Sequence, residues 1–446
     1  MAVYFCKKTQ KKLQSDLLLL LDYARKRVDQ VEISVNINRG FSVGVRLGRV
    51  ETIEHHQENS LNITVYHQQH VGSASISDLS LTKMKFAFDK ACVISQFTQA
   101  DRCTGLEDSR EMAMNYPNLR LAHPWLSSPE EAINLAVKCE TAARKYDFRI
   151  KNSDGVVVNT YNSFRIYTNS HEFLGYYPST IHSISCSLVA EQYGQMQRDY
   201  DYTIARNPDK LLPINVLAQR VAEKTIHRLG AKKIRTRCCP IIFHAPIAKG
   251  LLKLFVSSIQ GRNIYRKTSF LCDHLNRKIF PEFSSVYQEP HLLEEFGSMP
   301  FDRIGVKTKK MNFVQNGVLM HYVLDTYSAR KLGMKTTGNS GGVFNLFITT
   351  GNKSLGDLFA EMQTGLFVTE LMNQGVDNLL TGNYSRGAFG YWIENGMIQH
   401  PVEEIVISGN LREMFENIQA VANDVDHRGN IKTGSILIEQ MTIAGK

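Results

Sequence analysis

A helical apolar stripe and then a strict alternation of apolar and polar residues are the first patterns along the chain. A helix-spaced apolar stripe over Thr9–Val28 is followed by two alternating runs, 31–37 and 41–47, with Arg39 and Gly40 between them. Side chains of a strand point alternately to its two faces, so a period of two is typical of a strand with one buried face. The pattern therefore predicts an amphipathic helix and then a β-hairpin that buries one face.

Helix and strand signals continue up to residue 230. Ser128 and Glu131 have the spacing of a capping box that opens a helix, and Pro213 opens a later helix that Gly230 closes. The other predicted elements of this region are strands over 61–67 and 71–77, a helix over 81–97 and strands within 150–204. This order predicts an N-terminal α+β domain with an antiparallel sheet and helices.

The second half is predicted to be mostly antiparallel β-structure, barrel- or sandwich-like, with packed helices. Asn316-Gly317 and Asn395-Gly396 are each flanked by alternating apolar residues, which is the strongest short-range signal for a tight hairpin. A late helix capped by Asn410 is expected to keep its apolar side chains inward as far as Ala422, and a final strand is predicted over 436–443.

Length, charge and cysteine usage then narrow the class of protein. A chain of 446 residues exceeds what one hydrophobic core usually organises, and the basic stretch Ala231–Arg237 marks a boundary, so we predict two domains, 1–230 and 231–446. The net charge of +9 comes partly from basic clusters that no nucleic-acid motif accompanies, so we expect no nucleic-acid partner. The scattered cysteines predict reduced thiols. The apolar run Leu17–Leu21 is too short to span a bilayer, so we expect no membrane partner and a cytoplasmic location.

A strand, a turn and a helix are predicted within Pro240–Gly261. The helical part, 249–260, contains no His, Asp, Glu or Cys. It therefore offers no zinc ligand and no imidazole, carboxylate or thiolate that could act as a base. Lys253 and Ser257 are four residues apart and share a helical face, so Lys253 with Ser257 or Ser258 is one hypothesis for a base and a nucleophile. The alternative is that these are solvated side chains on the outer face of an amphipathic helix.

Glycine is concentrated between Gly333 and Gly396. Two stretches, TTGNSGG at Thr336–Gly342 and TGNYSRG at Thr381–Gly387, are the predicted loops of this region. Such glycines either form turns of a tight barrel or let another chain approach the backbone closely, and the sequence leaves both interpretations open.

Several linked segments of the second half resemble one known family, the PmbA/TldD proteins. They read YRKTSFLCD, FDRIGVKTKKMNFVQNGVL, TYSARKLGMKTTGNSGG, GLFVTELMNQGVD, TGNYSRGAFGYWIENG and VANDVDHRGNIKTGS. NSDGVVVN at Asn152–Asn159 and the N-terminal alternation are similar to that family too. The resemblance covers nearly the whole chain, and it is to the PmbA (TldE) branch.

The resemblance implies a role in a cytoplasmic peptidase pair that degrades or trims unfolded peptides. In such a pair the TldD-type subunit carries zinc through a His-Glu-x-x-x-His helix and a Cys near the C-terminus, and the Glu deprotonates the bound water. Here residues 249–260 offer no ligand, and residues 430–435 read NIKTGS where the Cys is expected. We therefore expect no catalytic residue, no metal site and no cofactor in this chain, with zinc in a TldD-like partner.

Two alternatives stay open beside this heterodimer with a TldD-like subunit. One is a self-sufficient peptidase that uses a group other than zinc, and the other is a non-enzymatic homodimeric scaffold. If the glycine-rich loops line a cleft, an extended peptide could add to a sheet edge there through main-chain hydrogen bonds. The residues expected to line such a cleft are Thr337, Gly338, Asn339, Gly341, Gly342, Tyr384 and Arg386.

Overall fold

One six-stranded antiparallel sheet organises the first half of the chain in the computed structural model, which describes residues 7–125 and 128–445. Its elements are α1 (Lys7–Arg25), β1 (Gln30–Arg46), β2 (Arg49–His67), β3 (His70–Ile76), α2 (Leu81–Ser95), α3 (Pro129–Lys145), β4 (Ile150–Asn169), β5 (Leu174–Gln192), β6 (Gln195–Ala205) and α4 (Ile214–His227). The strand order is β3-β2-β1-β4-β5-β6. The capping box of Ser128 and Glu131 is confirmed at the start of α3.

β1 is one continuous strand, so the predicted hairpin turn at Arg39 and Gly40 is wrong. Odd-numbered apolar residues stay on one face throughout, where residues 31–37 pack against α1 and α2, and residues 43–45 against α3 and α4. Gly40 is a point of close approach rather than a turn, because a Cβ there would lie 2.0 Å from the carbonyl oxygen of Thr160 on β4. Two helix pairs thus cover one long strand.

The turn of the first hairpin lies instead at Leu47 and Gly48. Both residues have positive φ, and the buried carboxylate of Glu140 on α3 accepts both of their backbone N–H groups at 2.8 Å. A helix side chain therefore satisfies the donors that the turn leaves unpaired.

The second half of the chain contains a closed barrel and a second sheet. Its elements are β7 (Arg237–Phe243), α5 (Ala245–Ser258), α6 (Gly261–Tyr265), β8 (Val286–Gln288), β9 (Met311–Gln315), β10 (Val318–Leu319), α7 (Thr326–Lys331), β11 (Leu346–Ile348), α8 (Leu355–Met362), β12 (Gly365–Asp377), β13 (Asn383–Glu394), β14 (Met397–Asn410), α9 (Leu411–Glu416), β15 (Ile418–Val421), β16 (Ile431–Lys432) and β17 (Ile436–Ala444). Strands β14-β13-β12-β7-β17 form a ring that a β14–β17 pairing closes, and β10-β9-β8-β11-β16 form the other sheet. The predicted α+β class with a barrel-like second half is confirmed.

Both predicted asparagine-glycine hairpins are confirmed. Asn316 and Gly317 have φ of 48° and 79° between β9 and β10, and Asn395 and Gly396 have φ of 52° and 70° between β13 and β14. Two successive positive φ angles match the right-handed twist of the flanking strands, which is why this dipeptide is favoured there.

Two predictions near the end of the chain are wrong in part. Of the predicted loop Thr381–Gly387, only Thr381 and Gly382 lie outside a strand, because β13 begins at Asn383 and pairs with β12. The predicted late helix ends at Glu416, and the next predicted apolar residues, Ile418 and Val421, lie on β15, where Ile418 pairs with Ile438 of β17. In both places strand pairing overrides the local signal.

Helix α5 is buried in the main core of the second half, as its strand-turn-helix pattern predicts. Leu251, Leu252 and Phe255 are at most 2% exposed and face residues of the barrel and of the second sheet. Pro246 lies in the first turn, where its missing N–H costs nothing. Within residues 7–125 and 128–445, the structure contains no helix that is both long and apolar enough to cross a membrane.

Candidate functional site

A groove, here called the junction groove, runs between the polar face of the N-terminal sheet and loops of the second half. It consists of three adjoining cavities of about 810, 380 and 290 Å³. The first and second share Glu32 and Ile304, the first and third share Asp325 and Ser340, and the second and third share Arg303. These shared walls make one continuous candidate site.

The sheet wall of the groove carries a half-buried carboxylate. Glu32 faces the groove because the odd-numbered neighbours on β1 face the core. Its two oxygens accept hydrogen bonds from the hydroxyls of Tyr66, at 2.9 Å, and Tyr167, at 2.7 Å. Burial raises the pKa of Glu32, although both hydroxyls and the nearby Arg165 act against that rise.

The opposite wall is built by a clasp between two loops, one at residues 302–306 and the other at residues 336–342. The buried carboxylate of Asp302 accepts the N–H groups of Ile304 and Val306 at 2.9 Å and that of Ser340 at 3.0 Å. Arg303 N–H donates to the Ser340 carbonyl at 2.9 Å. Burial raises the pKa of Asp302 to about 7, and the three N–H groups oppose this rise. The clasp fixes the backbone from which Arg303 extends.

A side chain of the N-terminal sheet holds the same loop. Arg165 on β4 donates to the carbonyl oxygen of Arg303 at 2.7 Å and to the side-chain oxygen of Asn36 on β1 at 3.3 Å. The guanidinium of Arg165 therefore links the sheet wall to the loop wall, and it sets their spacing.

Three of the predicted cleft residues are buried beneath the groove. The hydroxyl of Thr337 accepts the N–H of Leu324 at 2.8 Å, and the amide of Asn339 donates to the side chain of Gln288 at 2.8 Å. Thr337, Gly338 and Asn339 are buried, and Asn339 reaches the third cavity. Their contacts fix the shape of the TTGNSGG loop.

Two other predicted residues line the groove itself. Gly341 and Gly342 have φ of 104° and 113°, both lie on the wall of the third cavity, and a Cβ on Gly342 would meet no atom within 4 Å. The backbone conformation favours glycine here, while the space above Gly342 is open. The interpretation that these glycines leave the backbone approachable fits this placement.

The structure places the last two predicted residues elsewhere. Tyr384 and Arg386 are on β13 of the barrel, where Tyr384 is 3% exposed in the core and Arg386 pairs with Asp377. The lining of the three groove cavities includes neither residue. A role of these two residues in peptide binding stays a prediction, and it is separate from the junction groove.

A second polar cluster lies at the start of α5, and it was not expected from the sequence. Asp426 pairs with Lys249 at 3.1 Å and with Arg428 at 3.0 Å, and Arg428 also pairs with Asp201 on β6 at 2.9 Å. His244 occupies the N-cap position of α5, without a side-chain capping hydrogen bond, and burial lowers its pKa to about 4. These ion pairs join the two halves of the chain.

Three family models match the chain in order. They are described as domain 1, the central domain and the C-terminal domain of PmbA/TldA metallopeptidases, and they match residues 31–95, 122–229 and 236–445. The chain belongs to the PmbA/TldD family. Residues 236–445 include the whole barrel and the TTGNSGG loop, so the loop wall of the groove lies within a family domain.

Two curated relatives agree with membership of the PmbA/TldD family, and one solved structure has the same fold. The chain is 42% identical to metalloprotease PmbA of Escherichia coli O157:H7 over 98% of this chain and 97% of that protein. It is 41% identical to a metalloprotease PmbA homolog of Haemophilus influenzae, again over 98% and 97%. Its fold matches TldE of Thermococcus kodakarensis with a TM-score of 0.85, at 22% identity, over 96% of this chain and all of that one.

The side chains of α5 are not suited to bind zinc. The family resemblance implies zinc on the His-Glu-x-x-x-His helix of a TldD-type subunit. Their reactive groups are amines and hydroxyls, and zinc prefers imidazole, thiolate and carboxylate ligands. The hydroxyl of Ser257 donates to the carbonyl oxygen of Lys253, and that of Ser258 to the carbonyl oxygen of Leu254, both at 2.9 Å. Across residues 7–125 and 128–445, no three His, Cys, Asp or Glu side chains cluster to hold a metal.

Proposed function

We propose that this chain is the non-catalytic, PmbA-type subunit of a cytoplasmic zinc peptidase. A TldD-type partner supplies the metal and breaks the peptide bonds of unfolded peptides, and this chain guides the substrate and supports assembly. The observation that carries the proposal is helix α5, which is buried and intact but presents amine and hydroxyl groups where a zinc ligand set would be needed.

The contacts of the two α5 serines also bear on the alternative of a self-sufficient peptidase. A serine nucleophile needs a base that accepts its proton, and both hydroxyls here donate to backbone carbonyls one turn earlier. Such bonds are ordinary in helices and leave the hydroxyls unactivated. The geometry therefore favours a supporting subunit over a Ser/Lys peptidase.

The first test measures metal and activity on the full chain alone. After dialysis we expect no stoichiometric zinc by elemental analysis and no cleavage of an unstructured fluorogenic peptide, and we expect cleavage once a TldD-type protein is added. Robust cleavage by the isolated chain would overturn the proposal. Replacing Lys253, Ser257 and Ser258 together by Ala is the control, because it should leave the activity of the mixture unchanged.

Assembly is measured separately by size. We expect the chain to form a complex with the TldD-type protein whose mass equals one copy of each. A stable homodimer that does not exchange with that protein would instead support the scaffold hypothesis and contradict the proposal.

A further inference from the structure

The third cavity of the junction groove has an unusual set of charges on its wall. It is a polar pocket of about 290 Å³ just beyond the end of α5, lined by Arg262, Arg303 and the turn Ser340–Gly342. This volume is near the lower end of the range of about 300–1,000 Å³ for ligand pockets, so it suits a terminal group or a single side chain.

Both arginines are exposed toward the pocket without a bonded acceptor. Over residues 7–125 and 128–445, no carboxylate or carbonyl accepts a hydrogen bond from the guanidinium of Arg262 or Arg303. The nearby Arg330, in contrast, donates to four backbone carbonyls, those of Cys103, Thr104, Gly105 and Leu106. The pocket therefore presents two guanidinium groups that are available to an anion.

The acidic residue on the same wall, Asp325, forms no ion pair with Arg262 or Arg303 among the described residues. Asp325 caps α7, and its Oδ1 accepts the backbone N–H of Ser328 at 2.7 Å and the Ser328 hydroxyl at 2.6 Å. The clasp between Asp302 and Ser340 fixes the backbone from which Arg303 extends. Only the freedom of the Arg303 side chain is then lost when its guanidinium binds a ligand.

We propose that the third cavity binds a carboxylate of the peptide substrate, held by the guanidinium of Arg303 with Arg262 beside it. This inference rests on the proposed function for the identity of the ligand as a peptide. A guanidinium matches a carboxylate with two parallel hydrogen bonds, and the open space above Gly342 lets the peptide main chain come close. The carboxylate comes either from the peptide C-terminus or from an acidic side chain.

The experiment measures binding of fluorescein-labelled peptides to the full-length chain by anisotropy at low salt. One unstructured sequence is made in three forms: with a free C-terminal carboxylate, with a C-terminal amide, and with a C-terminal amide plus an internal Glu. Hydrogen bonds to charged groups are worth about 1.5–3 kcal/mol. We therefore expect the dissociation constant of the amide form to be at least about tenfold higher than that of the carboxylate form. If the internal Glu restores binding, the pocket accepts an acidic side chain as well.

Variants then assign the effect to the pocket. Arg303→Gln should make the carboxylate and amide forms bind equally, Arg303→Lys should keep only part of the preference, and Arg262→Gln should reduce it. Arg220→Gln on the exposed surface of α4 is the matched control, which should bind as the wild type does. Because Arg303 is exposed, its replacement should leave the unfolding midpoint unchanged.

Three outcomes would overturn the inference: no peptide binding up to millimolar concentration, equal binding of carboxylate and amide by the wild type, or a preference that survives in Arg303→Gln. The binding assay needs no partner subunit, so its failure is separable from failure of the proposed function. Carboxylate-dependent binding without cleavage on adding a TldD-type protein would leave this inference intact and contradict only the proposed function.

Discussion

Two glycines of the TTGNSGG loop allow a matched test of how the loop is built. Gly338 and Gly342 both have positive φ, 69° and 113°, so an alanine is strained at either position. Their surroundings differ, because a Cβ on Gly338 would lie 2.3 Å from the carbonyl oxygen of Lys307, whereas a Cβ on Gly342 meets nothing within 4 Å. We therefore predict that Gly338→Ala destabilises the fold more than Gly342→Ala.

The magnitudes follow from these two surroundings. A non-glycine residue at positive φ costs about 1–3 kcal/mol, and this cost applies to both variants. Gly338→Ala adds a clash with rigid backbone, and overpacking of that kind costs a further 1–3 kcal/mol or so. We expect a loss of about 2–6 kcal/mol for Gly338→Ala and about 1–3 kcal/mol for Gly342→Ala. A total stability of about 5–15 kcal/mol exceeds the loss for Gly342→Ala and all but the upper end of the range for Gly338→Ala, so we expect both variants to fold.

Urea unfolding of the two variants and the wild type measures the difference, provided that the m-value is unchanged. A Gly338→Ala variant as stable as Gly342→Ala would refute the reasoning.

A second experiment on this loop tests function with Gly342→Leu, whose side chain projects into the groove. We expect this variant to stay folded and to lose peptide processing in the mixture with a TldD-type protein, and a wild-type processing rate would contradict the position of the groove.

Two further predictions concern carboxylates outside the groove, those of the buried Glu140 and the half-buried Asp426. Glu140→Ala leaves the N–H groups of Leu47 and Gly48 without their acceptor. We therefore expect the free energy of unfolding, measured in urea, to fall by about 2–4 kcal/mol, and hydrogen exchange in the β1–β2 hairpin to become faster. A fall of less than about 1 kcal/mol would contradict this role of Glu140. For Asp426, burial favours a higher pKa, but Arg428 and Lys249 outweigh it and hold the pKa below its ordinary value. The native state thus binds the proton on Asp426 less tightly than the unfolded state does. The difference in unfolding free energy between wild type and Asp426→Asn should therefore be at its full value above about pH 4 and shrink as the pH falls further. A difference that does not change between about pH 2 and 7 would count against the ion-pair cluster.

Local signals in the sequence predict much of the fold because they depend on neighbouring residues alone. The capping box at Ser128 and the asparagine-glycine turns at 316–317 and 395–396 are confirmed, since each is set by the hydrogen bonds or φ angles of a few residues. The helix within 249–260 is confirmed for the same reason, because its apolar stripe has the helical period.

Features that depend on distant segments could not be predicted in this way. The sequence predicts a turn at Arg39 and Gly40, but β4 passes next to Gly40, and no pattern in β1 reports the approach of β4. The apolar residues after Glu416 fit a helix until β17 offers them a strand partner. Alternation itself continues with the same parity across Gly40, and this was the available signal for one long strand.

The residues of the candidate site also differ in whether the sequence alone indicates them. Glycine content indicated Gly341 and Gly342, which do line the junction groove, since glycine reports a backbone requirement that is visible in the sequence. Asp302, Arg303 and Glu32 were missed, because a charged residue in a loop or a strand carries no local sign that another segment will pack beside it. Only the folded chain brings the sheet wall and the two loops together.

The most direct test of a non-catalytic subunit is a titration at fixed concentration of a TldD-type protein, with cleavage of an unstructured peptide as the readout. We predict that this chain adds no cleavage by itself and that activity rises until one copy is present for each TldD-type subunit, then stays constant. Cleavage that grows in proportion to this chain without the other subunit, accompanied by stoichiometric zinc in it, would contradict the proposed division of labour.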